Sequence, residues 1–253
     1  MNQVKNWTIL CIVILLSLPS YSQNDDLINT HLFMPSYSFE IPLGKLSERF
    51  GGNSTLGMAY KFKYGQNWVI GGDVNFMFSG NVKEEGMYDA ITTTSGLFID
   101  VNGLVNEFSL SERGVHGSLS IGKIVWSPDN SANSGLLIGG GIGYLQHKIS
   151  INLSGDDFPQ INEDLRKGYD RFTSGVTLNQ SIGYLYLKPE KFINFYIGLE
   201  VLEGITKLRR PWVLDLNTAD KSTRFDMLIG LKTAWIIPVF KGRVNDEDEF
   251  FYD

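Results

Sequence analysis

The feature that most constrains this chain is an alternation of apolar residues with small or polar ones, repeated over eight segments. In the clearest segment, every second residue from Phe225 to Val239 is apolar or threonine, and most residues between them are small or charged. A period of two residues indicates β-strands that present one apolar face. The eight segments are His31–Pro42, Leu56–Tyr64, Trp68–Phe78, Val115–Trp126, Leu136–His147, Val176–Tyr186, Ile193–Val201 and Phe225–Val239. Only Lys123 breaks the fourth pattern strongly, which predicts a β-bulge or a register change there.

The length of these segments predicts that they cross a membrane. Each spans about ten residues or more, whereas ordinary strands average about five or six and tilted membrane strands need about 9–11. Short connections (64–67, 127–134 and 188–191) alternate with long polar ones (43–53, 79–113, 151–173 and 209–223). An even strand number with this alternation is typical of outer-membrane barrels. We therefore predict an all-β fold, an eight-stranded antiparallel up-and-down transmembrane β-barrel with periplasmic termini and extracellular long loops.

A soluble, lipocalin-like ligand-binding barrel also has alternating strands, but its apolar face points inward. The chain contains 27 glycines, and many of them fall on the face opposite the apolar one, where they suit a narrow lumen better than a wet surface. Aromatic residues gather near the short-turn ends of the strands, as expected of an interfacial girdle. These residues are Tyr64, Trp68, Trp126, Tyr186, Phe192 and Phe240. Both observations favour the membrane barrel.

The first 22 residues are predicted to be a secretory signal peptide, because a positive start precedes an apolar run, Ile9–Leu16, and small residues precede the expected cut. The apolar run is too short to span a bilayer. The single cysteine, Cys11, lies inside it. We expect residues 23–240 to form the barrel and residues 241–253 to form a short acidic and aromatic periplasmic tail.

The predicted signal peptide, the eight long alternating strands and the terminal aromatic Phe240 resemble the small outer-membrane barrels of the OmpA/OmpX kind. The Tyr21-Ser22-Gln23 cut site and the frequent Asn and Tyr residues are similar to those of barrels from Bacteroidetes-type bacteria. The resemblance covers about Leu27 to Phe240. It implies a barrel in the outer membrane of a Gram-negative cell, and it implies no particular activity.

Seven charged or titratable residues on the inner face are predicted to form a polar network in the lumen. The interior of an eight-stranded barrel is just wide enough for its own side chains, and buried charges there must be paired. Acids and bases nearly balance, which favours a structural ion-pair network; a polar path for protons, ions or small solutes is the alternative. The residues are Glu40, Lys61, Asp73, His116, Glu200, Asp226 and Lys232, and Lys63 and His147 face the same way.

No residue pattern predicts catalysis, a cofactor or a metal site. The nearest approach to a catalytic group is His147 with Ser150 and the loop acids Asp156 and Asp157, a grouping that chance readily produces. These acids lack the glycine-punctuated spacing of a calcium loop. We therefore expect a protein that is not an enzyme and needs no cofactor. A lipid-modifying enzyme and a narrow solute channel are the alternatives.

Three features predict surfaces for partners. Residues 97–110 mix apolar and turn residues and predict a small extracellular hairpin. Lys207, Arg209 and Arg210 are predicted at the outer rim, where they could bind the phosphates of lipopolysaccharide, and outer-membrane lipid is the expected partner. In the tail, three aromatic residues are candidate anchors for a periplasmic or outer-membrane protein. They are Phe250, Phe251 and Tyr252.

The net charge of −6 argues against a nucleic-acid partner. The sequence thus indicates an outer-membrane barrel with a structural or interaction role. Our working hypothesis is an accessory subunit of an outer-membrane secretion or assembly complex.

Overall fold

The structure, a computed structural model, describes residues 28–127, 133–155, 157–188 and 192–240. The predicted signal peptide and the predicted tail, with Phe250, Phe251 and Tyr252, lie outside the described residues. The proposed domain boundaries therefore stay predictions. Within the described part of the chain, no helix is long and apolar enough to cross a lipid bilayer.

Eight long antiparallel strands form a closed ring, which confirms the predicted fold. Neighbours in the chain are neighbours in the ring, and the last strand pairs back onto the first. The strands are β1 (Thr30–Gly44), β2 (Asn53–Tyr64), β3 (Trp68–Ser79), the separate short hairpin β4 (Phe98–Ile99) and β5 (Val105–Asn106), β6 (Phe108–Trp126), β7 (Gly135–Leu153), β8 (Thr173–Tyr186), β9 (Phe195–Leu208), β10 (Thr223–Trp235) and β11 (Ile237–Phe240). Each predicted segment overlaps one strand of the ring, and β10 and β11 together form the eighth. Strands β6, β7 and β9 extend beyond the predicted bounds at one end, and β9 begins two residues later than predicted.

Two irregularities interrupt the regular pairing. The eighth strand is divided at Ile236, whose backbone N–H still donates to the carbonyl oxygen of Asn194 at 2.8 Å. In β6 the register with β7 shifts between Ile124 and Trp126. A bulge was expected at Lys123, but the shift lies beyond it: Lys123 pairs regularly with Trp68 and Ile138 and stays on the outer face.

The long connections meet at one end of the barrel, the loop end, and the short turns and both termini of the described chain meet at the turn end. The loop end contains helix α1 (Leu46–Arg49), a 3₁₀ turn (Asp89–Ile91), the β4–β5 hairpin predicted for residues 97–110, and helix α2 (Glu163–Tyr169). Because β6 begins at Phe108 and β7 ends at Leu153, the connections predicted at 79–113 and 151–173 are shorter than expected.

The loops pack into a cap with an aromatic core that continues into the barrel mouth. Tyr88 stacks on Tyr169 at 4.8 Å between ring centroids, and Phe98 meets Phe108 edge-on at 5.1 Å. An ion pair of 2.7 Å between Arg171 and Asp215 ties two of these loops together. Helix α2 is held in place by an N-cap, since the Asn162 side chain accepts a hydrogen bond from the Leu165 amide at 2.9 Å. The loop end is therefore ordered structure.

The apolar face of the ring points outward. Large apolar residues are exposed on the outer face of every strand of the ring, among them Phe39, Leu56, Val74, Leu119, Ile142, Val176, Leu199 and Leu231. The alternating partners, such as Asp226 and Lys232, are buried inside. The alternative of a ligand-binding barrel with an inward apolar face is therefore wrong.

Candidate functional site

A polar cavity of about 50 Å³ lies in the middle of the barrel. Five of the seven predicted lumen residues line it: Glu40, Lys61, Asp73, His116 and Glu200. They come from β1, β2, β3, β6 and β9, so that the curvature of the ring brings together side chains that are distant in the chain. The space has room for only a few water molecules.

Lys232, Glu200, Asp73 and His116 are bonded to one another or to hydroxyl and amide groups around this cavity. Lys232, the sixth predicted residue, donates from Nζ to Glu200 Oε2 at 3.2 Å. Asp73 accepts from Ser118 Oγ at 2.5 Å and from the Asn75 amide. His116 Nε2 lies 3.1 Å from Thr177 Oγ1. Hydrogen-bonded pairs of this kind are what a buried charge needs in a narrow interior.

Asp226, the seventh predicted residue, lies apart from the cavity, in a second polar cluster nearer the loop end. Its Oδ2 accepts a hydrogen bond from Thr206 Oγ1 at 2.5 Å and lies 3.6 Å from His147 Nε2. Its Oδ1 lies 3.7 Å from an Arg49 Nη2 nitrogen. Nearby, Asn53 Nδ2 donates to Glu112 Oε2 at 3.3 Å.

Arg49 and Glu112 were not predicted to lie inside the barrel, because the alternation placed both in long exposed loops. Arg49 is carried into the barrel mouth by α1, where the neighbouring Leu46 and Phe50 are fully buried. Glu112 lies on the long β6 and has no exposed surface. The apolar residues on both sides of Arg49 could have indicated that its segment is buried. Glu112 lies in a polar stretch, which contains no such pattern.

Apolar clusters pack on both sides of the polar layer. Toward the turn end, the buried residues are Leu32, Met34, Ala59, Val69, Ile124, Leu137, Leu185, Leu187, Tyr196, Ala234 and Ile236. Toward the loop end, Met77, Leu145 and Leu228 join the core of the cap. Lys63, also predicted to face inward, lies below the first cluster and donates to Asn133 Oδ1 at 2.8 Å. The lumen is thus filled by its own side chains.

The group considered for catalysis is not assembled. His147 is buried inside and faces Asp226, whereas Ser150, an odd number of residues away on β7, lies on the opposite side of the sheet. Asp156 lies outside the described residues. Among the residues that the structure places, no group of three or more His, Cys, Asp or Glu side chains is arranged to hold a metal ion.

The predicted interfacial aromatics lie at the turn end, on or beside the outer face. Tyr64, Trp126 and Phe192 are exposed, and Trp68 and Tyr186 are half-buried. The ammonium groups of two lysines sit over two of these rings: Lys123 lies 5.3 Å from the ring of Trp68, and Lys188 lies 5.6 Å from that of Tyr186. Phe240 ends β11, and its side chain is outside the described atoms. Their interfacial role stays a prediction.

At the loop end, basic residues collect on the outer face of β6, β7 and β9. Arg113 and Lys148 stand directly opposite each other in the β6–β7 ladder. Lys207 is the β9 partner of Ser174, whose hydroxyl accepts a hydrogen bond from Arg209 Nε at 2.7 Å. Like charges placed opposite in a ladder repel each other, so this rim is suited to an anion that bridges them.

Arg210, the third predicted rim cation, is already engaged. Its Nε donates to Asp170 Oδ1 at 2.9 Å, and its guanidinium group lies 5.2 Å from the ring of Phe172. The hydrogen bond to Asp170 raises the pKa of Arg210 above its usual range. Arg210 therefore serves the cap, and the basic rim is formed by Arg113, Lys148, Lys207 and Arg209. Within this rim, Arg209 also bonds Ser174, and Arg113 also donates to the Glu112 carbonyl oxygen.

No protein-family model matches this chain, and neither does any curated protein sequence. Among solved structures, Ail, the attachment invasion locus protein of Yersinia pestis, is similar at 10% identity, with 83% of this chain and 99% of that chain covered and a TM-score of 0.43. Neisserial surface protein A is similar at 10% identity, covering 81% and 96%, with a TM-score of 0.36. OprG from Pseudomonas aeruginosa is similar at 8% identity, covering 85% and 99%, with a TM-score of 0.34. The ring and its interior rest on the pairings and contacts described above, independently of these likenesses.

Proposed function

We propose that this protein is an outer-membrane β-barrel whose eight strands cross the lipid bilayer. The observation that carries the proposal is the belt of exposed large apolar residues on the outer face of the whole ring. Proteins in water rarely expose an apolar patch of more than a few hundred Å², whereas a barrel in lipid requires such a belt. The turn end and the termini would then face the periplasm, and the cap would face outward.

Within that membrane, we propose a structural or interaction role, with no enzymatic activity. The small cavity and the apolar clusters on both sides of it support a filled lumen over a solute channel. The ordered cap and the outer face are then the surfaces through which the protein acts. An accessory subunit of a secretion or assembly complex fits this arrangement, and the aromatic tail residues Phe250, Phe251 and Tyr252 remain candidate anchors for a periplasmic partner.

Membrane fractionation combined with heat-dependent gel mobility tests this proposal. A closed membrane barrel is expected in the outer-membrane fraction and should migrate differently before and after boiling. A protein that is fully soluble and insensitive to heat would refute it. Altered lipid A in cells that overproduce the protein would instead favour a lipid-modifying enzyme.

A second proposal concerns the lipid partner: the basic rim of Arg113, Lys148, Lys207 and Arg209 binds the phosphate groups of lipopolysaccharide. The supporting observation is the directly opposed pair of Arg113 and Lys148, because a phosphate between them would convert repulsion into two charge-assisted hydrogen bonds.

The test is co-purification of lipid A with a variant that carries both Arg113→Gln and Lys148→Gln. We expect at least a fivefold loss of bound lipid A, and an equal loss for the parent protein when dephosphorylated lipid A is supplied. Lys221→Gln is the matched control, since Lys221 is exposed in the loop between β9 and β10. Equal retention by all variants would overturn the assignment.

A further inference from the structure

The outer belt has one polar interruption. Near the turn end, two outward polar residues are paired on the surface: His31 lies 2.7 Å from the Tyr60 hydroxyl and Lys123 lies over the Trp68 ring. From there to the loop-end positions Gln146, Ser174 and Lys207, the outward residues of the described strands are apolar, aromatic, glycine, proline or hydroxylated, except for Gln180 on β8 and Glu203 on β9. Acids and amides that face hydrocarbon are costly and mark functional positions in membrane proteins. These two residues define what we call the lateral face.

The outward direction of Glu203 follows from its neighbours. Leu202 packs against the inner core, and Gly204 lies beside the inward Thr177 and Asp226, so alternation places Glu203 on the lipid side. In the ladders Glu203 stands opposite Leu178 and Met227, which also face outward. Glu203 is half-buried, and its ladder partners on both neighbouring strands are apolar.

Gln180 belongs to the same vertical stripe. Register pairs followed around the ring rise toward the loop end, since Tyr37 in mid-β1 is linked pair by pair to Thr223 at the loop end of β10. From Gln180, its partner Val201 is one such step higher and Glu203 is two residues higher again. With ordinary strand spacing, rise and tilt, Glu203 lies about 8 Å above Gln180, with little sideways displacement.

The shape of the outer surface beside Gln180 also allows another protein to approach closely. Gln180 pairs with Gly140 on β7, and a Cβ added to that glycine would meet only a backbone oxygen at 3.6 Å. The surface beside the Gln180 amide therefore has no side chain to hold a neighbour away.

Neither lipid chains nor a second copy of this chain complement the stripe. Lipid tails offer no hydrogen-bond donor at this depth. In a closed dimer, two copies inserted in the same direction are related by a twofold axis along the membrane normal, which keeps each residue at its own depth. Such a dimer would place Glu203 against Glu203, two acceptors of like charge.

We propose that the lateral face of β8 and β9 docks a different membrane-spanning protein, one that presents a Lys, an Arg or another N–H donor to Glu203 and a hydrogen-bonding group to Gln180. This inference rests on the proposed membrane location and makes the proposed complex subunit specific: contact occurs sideways, within the bilayer. A buried carboxyl group paired with a cation of the other protein fixes how the two proteins are oriented and which partner can bind.

Site-specific cross-linking in isolated outer membranes tests the proposal. Cys11, the single cysteine, lies in the predicted signal peptide, so Leu178→Cys would place one thiol directly opposite Glu203 for a maleimide–benzophenone probe. Leu56→Cys on β2 is the matched control, because β2 lies four strands away in either direction around the ring and Leu56, like Leu178, faces outward. Only variants that keep heat-dependent gel mobility are compared, so that failure of the barrel itself is recognised separately.

For Leu178→Cys we expect one discrete cross-linked product, in which the mass added to this chain differs from the mass of a second copy. For Leu56→Cys we expect no product. Added to Leu178→Cys, Glu203→Lys should reduce the adduct at least tenfold, and Glu203→Asp should retain most of it. An adduct with twice the mass of this chain, an adduct insensitive to Glu203→Lys, or equal labelling at both sites would each overturn the proposal.

A second measurement covers the case in which the charge-reversed variant fails to fold. In phosphatidylcholine vesicles that contain no other protein, Glu203→Leu should raise the urea midpoint of unfolding, because the carboxyl group then lacks its partner. Glu48→Leu, in the exposed ion pair of α1, should leave the midpoint unchanged or lower it slightly. An unchanged or lowered midpoint for Glu203→Leu would mean that the group is already satisfied in lipid, and the proposal would fail.

Discussion

Replacement of Lys232 by methionine tests whether the lumen is a sealed polar core. Lys232 is 7% exposed and its ammonium group lies 3.2 Å from Glu200, whose side chain is 33% exposed toward the cavity. Removal of one partner from a buried ion pair costs about 3–5 kcal/mol because the other charge stays buried and unpaired. The partial exposure of Glu200 lessens that penalty. We therefore expect Lys232→Met to lower the free energy of unfolding by about 3 kcal/mol.

The double variant Lys232→Met with Glu200→Leu should behave differently from the single one. Replacing both charges by apolar groups of similar volume removes the unpaired carboxylate, so the loss should shrink to within about 1 kcal/mol of the parent. The matched control is Lys45→Met, which breaks an ion pair with Glu48 whose side chains are both 63% exposed. That change should cost less than about 0.5 kcal/mol.

The assay is urea unfolding of the barrel in phosphatidylcholine vesicles, followed by tryptophan fluorescence and by heat-dependent gel mobility. A sealed polar core is refuted if Lys232→Met lowers the free energy of unfolding no more than Lys45→Met does. Such a result would mean that water screens the pair as it does at a surface, and the lumen would then be an open aqueous path.

Three further outcomes are expected. In planar bilayers the purified protein should give no conductance steps, because apolar clusters pack on both sides of the cavity; regular single-channel steps would contradict this. Gly143→Ala should cost about 1–3 kcal/mol, since its Cβ would lie 2.5 Å from the Gly117 carbonyl oxygen, whereas Gly140→Ala, with its nearest atom at 3.6 Å, should be close to neutral in the same unfolding assay. Burial alone would raise the pKa of Asp220, but hydrogen bonds from a nearby serine and the charge of Arg224 hold it below its usual range. The contribution of Asp220 is therefore present above about pH 4 and lost as the pH falls through its folded value, so pepsin cleavage of its loop should rise at the lowest pH in the parent, with no such step in Asp220→Asn.

The strand faces were predictable because the strand period is local. At Phe225 and Asp226 the sequence already separates an outward side chain from an inward one, and the structure agrees. The sequence predicted an irregularity near Lys123, and β6 has one just beyond it, but Lys123 itself stays on the outer face, so the alternation did not give the position of the bulge. The alternation was thus sufficient to predict the ring of strands and the apolar belt on its outer face.

Which inner residues meet was not predictable from that alternation. Asp226 shares the inner face with Lys232, yet it belongs to another cluster because the register sets its height and brings it to His147. Arg49 enters that cluster from a loop helix. Contacts of this kind depend on the stagger between strands and on how the loops fold back, and neither property has a local period.

Pattern and length along the chain therefore determined a closed eight-stranded barrel with its apolar side outward. Only the tertiary structure decided that the polar layer is enclosed between two apolar clusters, that the loops form an ordered cap, and that Glu203 and Gln180 align in one stripe of the belt. The physical reason is that a strand's faces follow from successive side chains, whereas depth in the membrane and contact across the lumen follow from the tilt and register of all eight strands together.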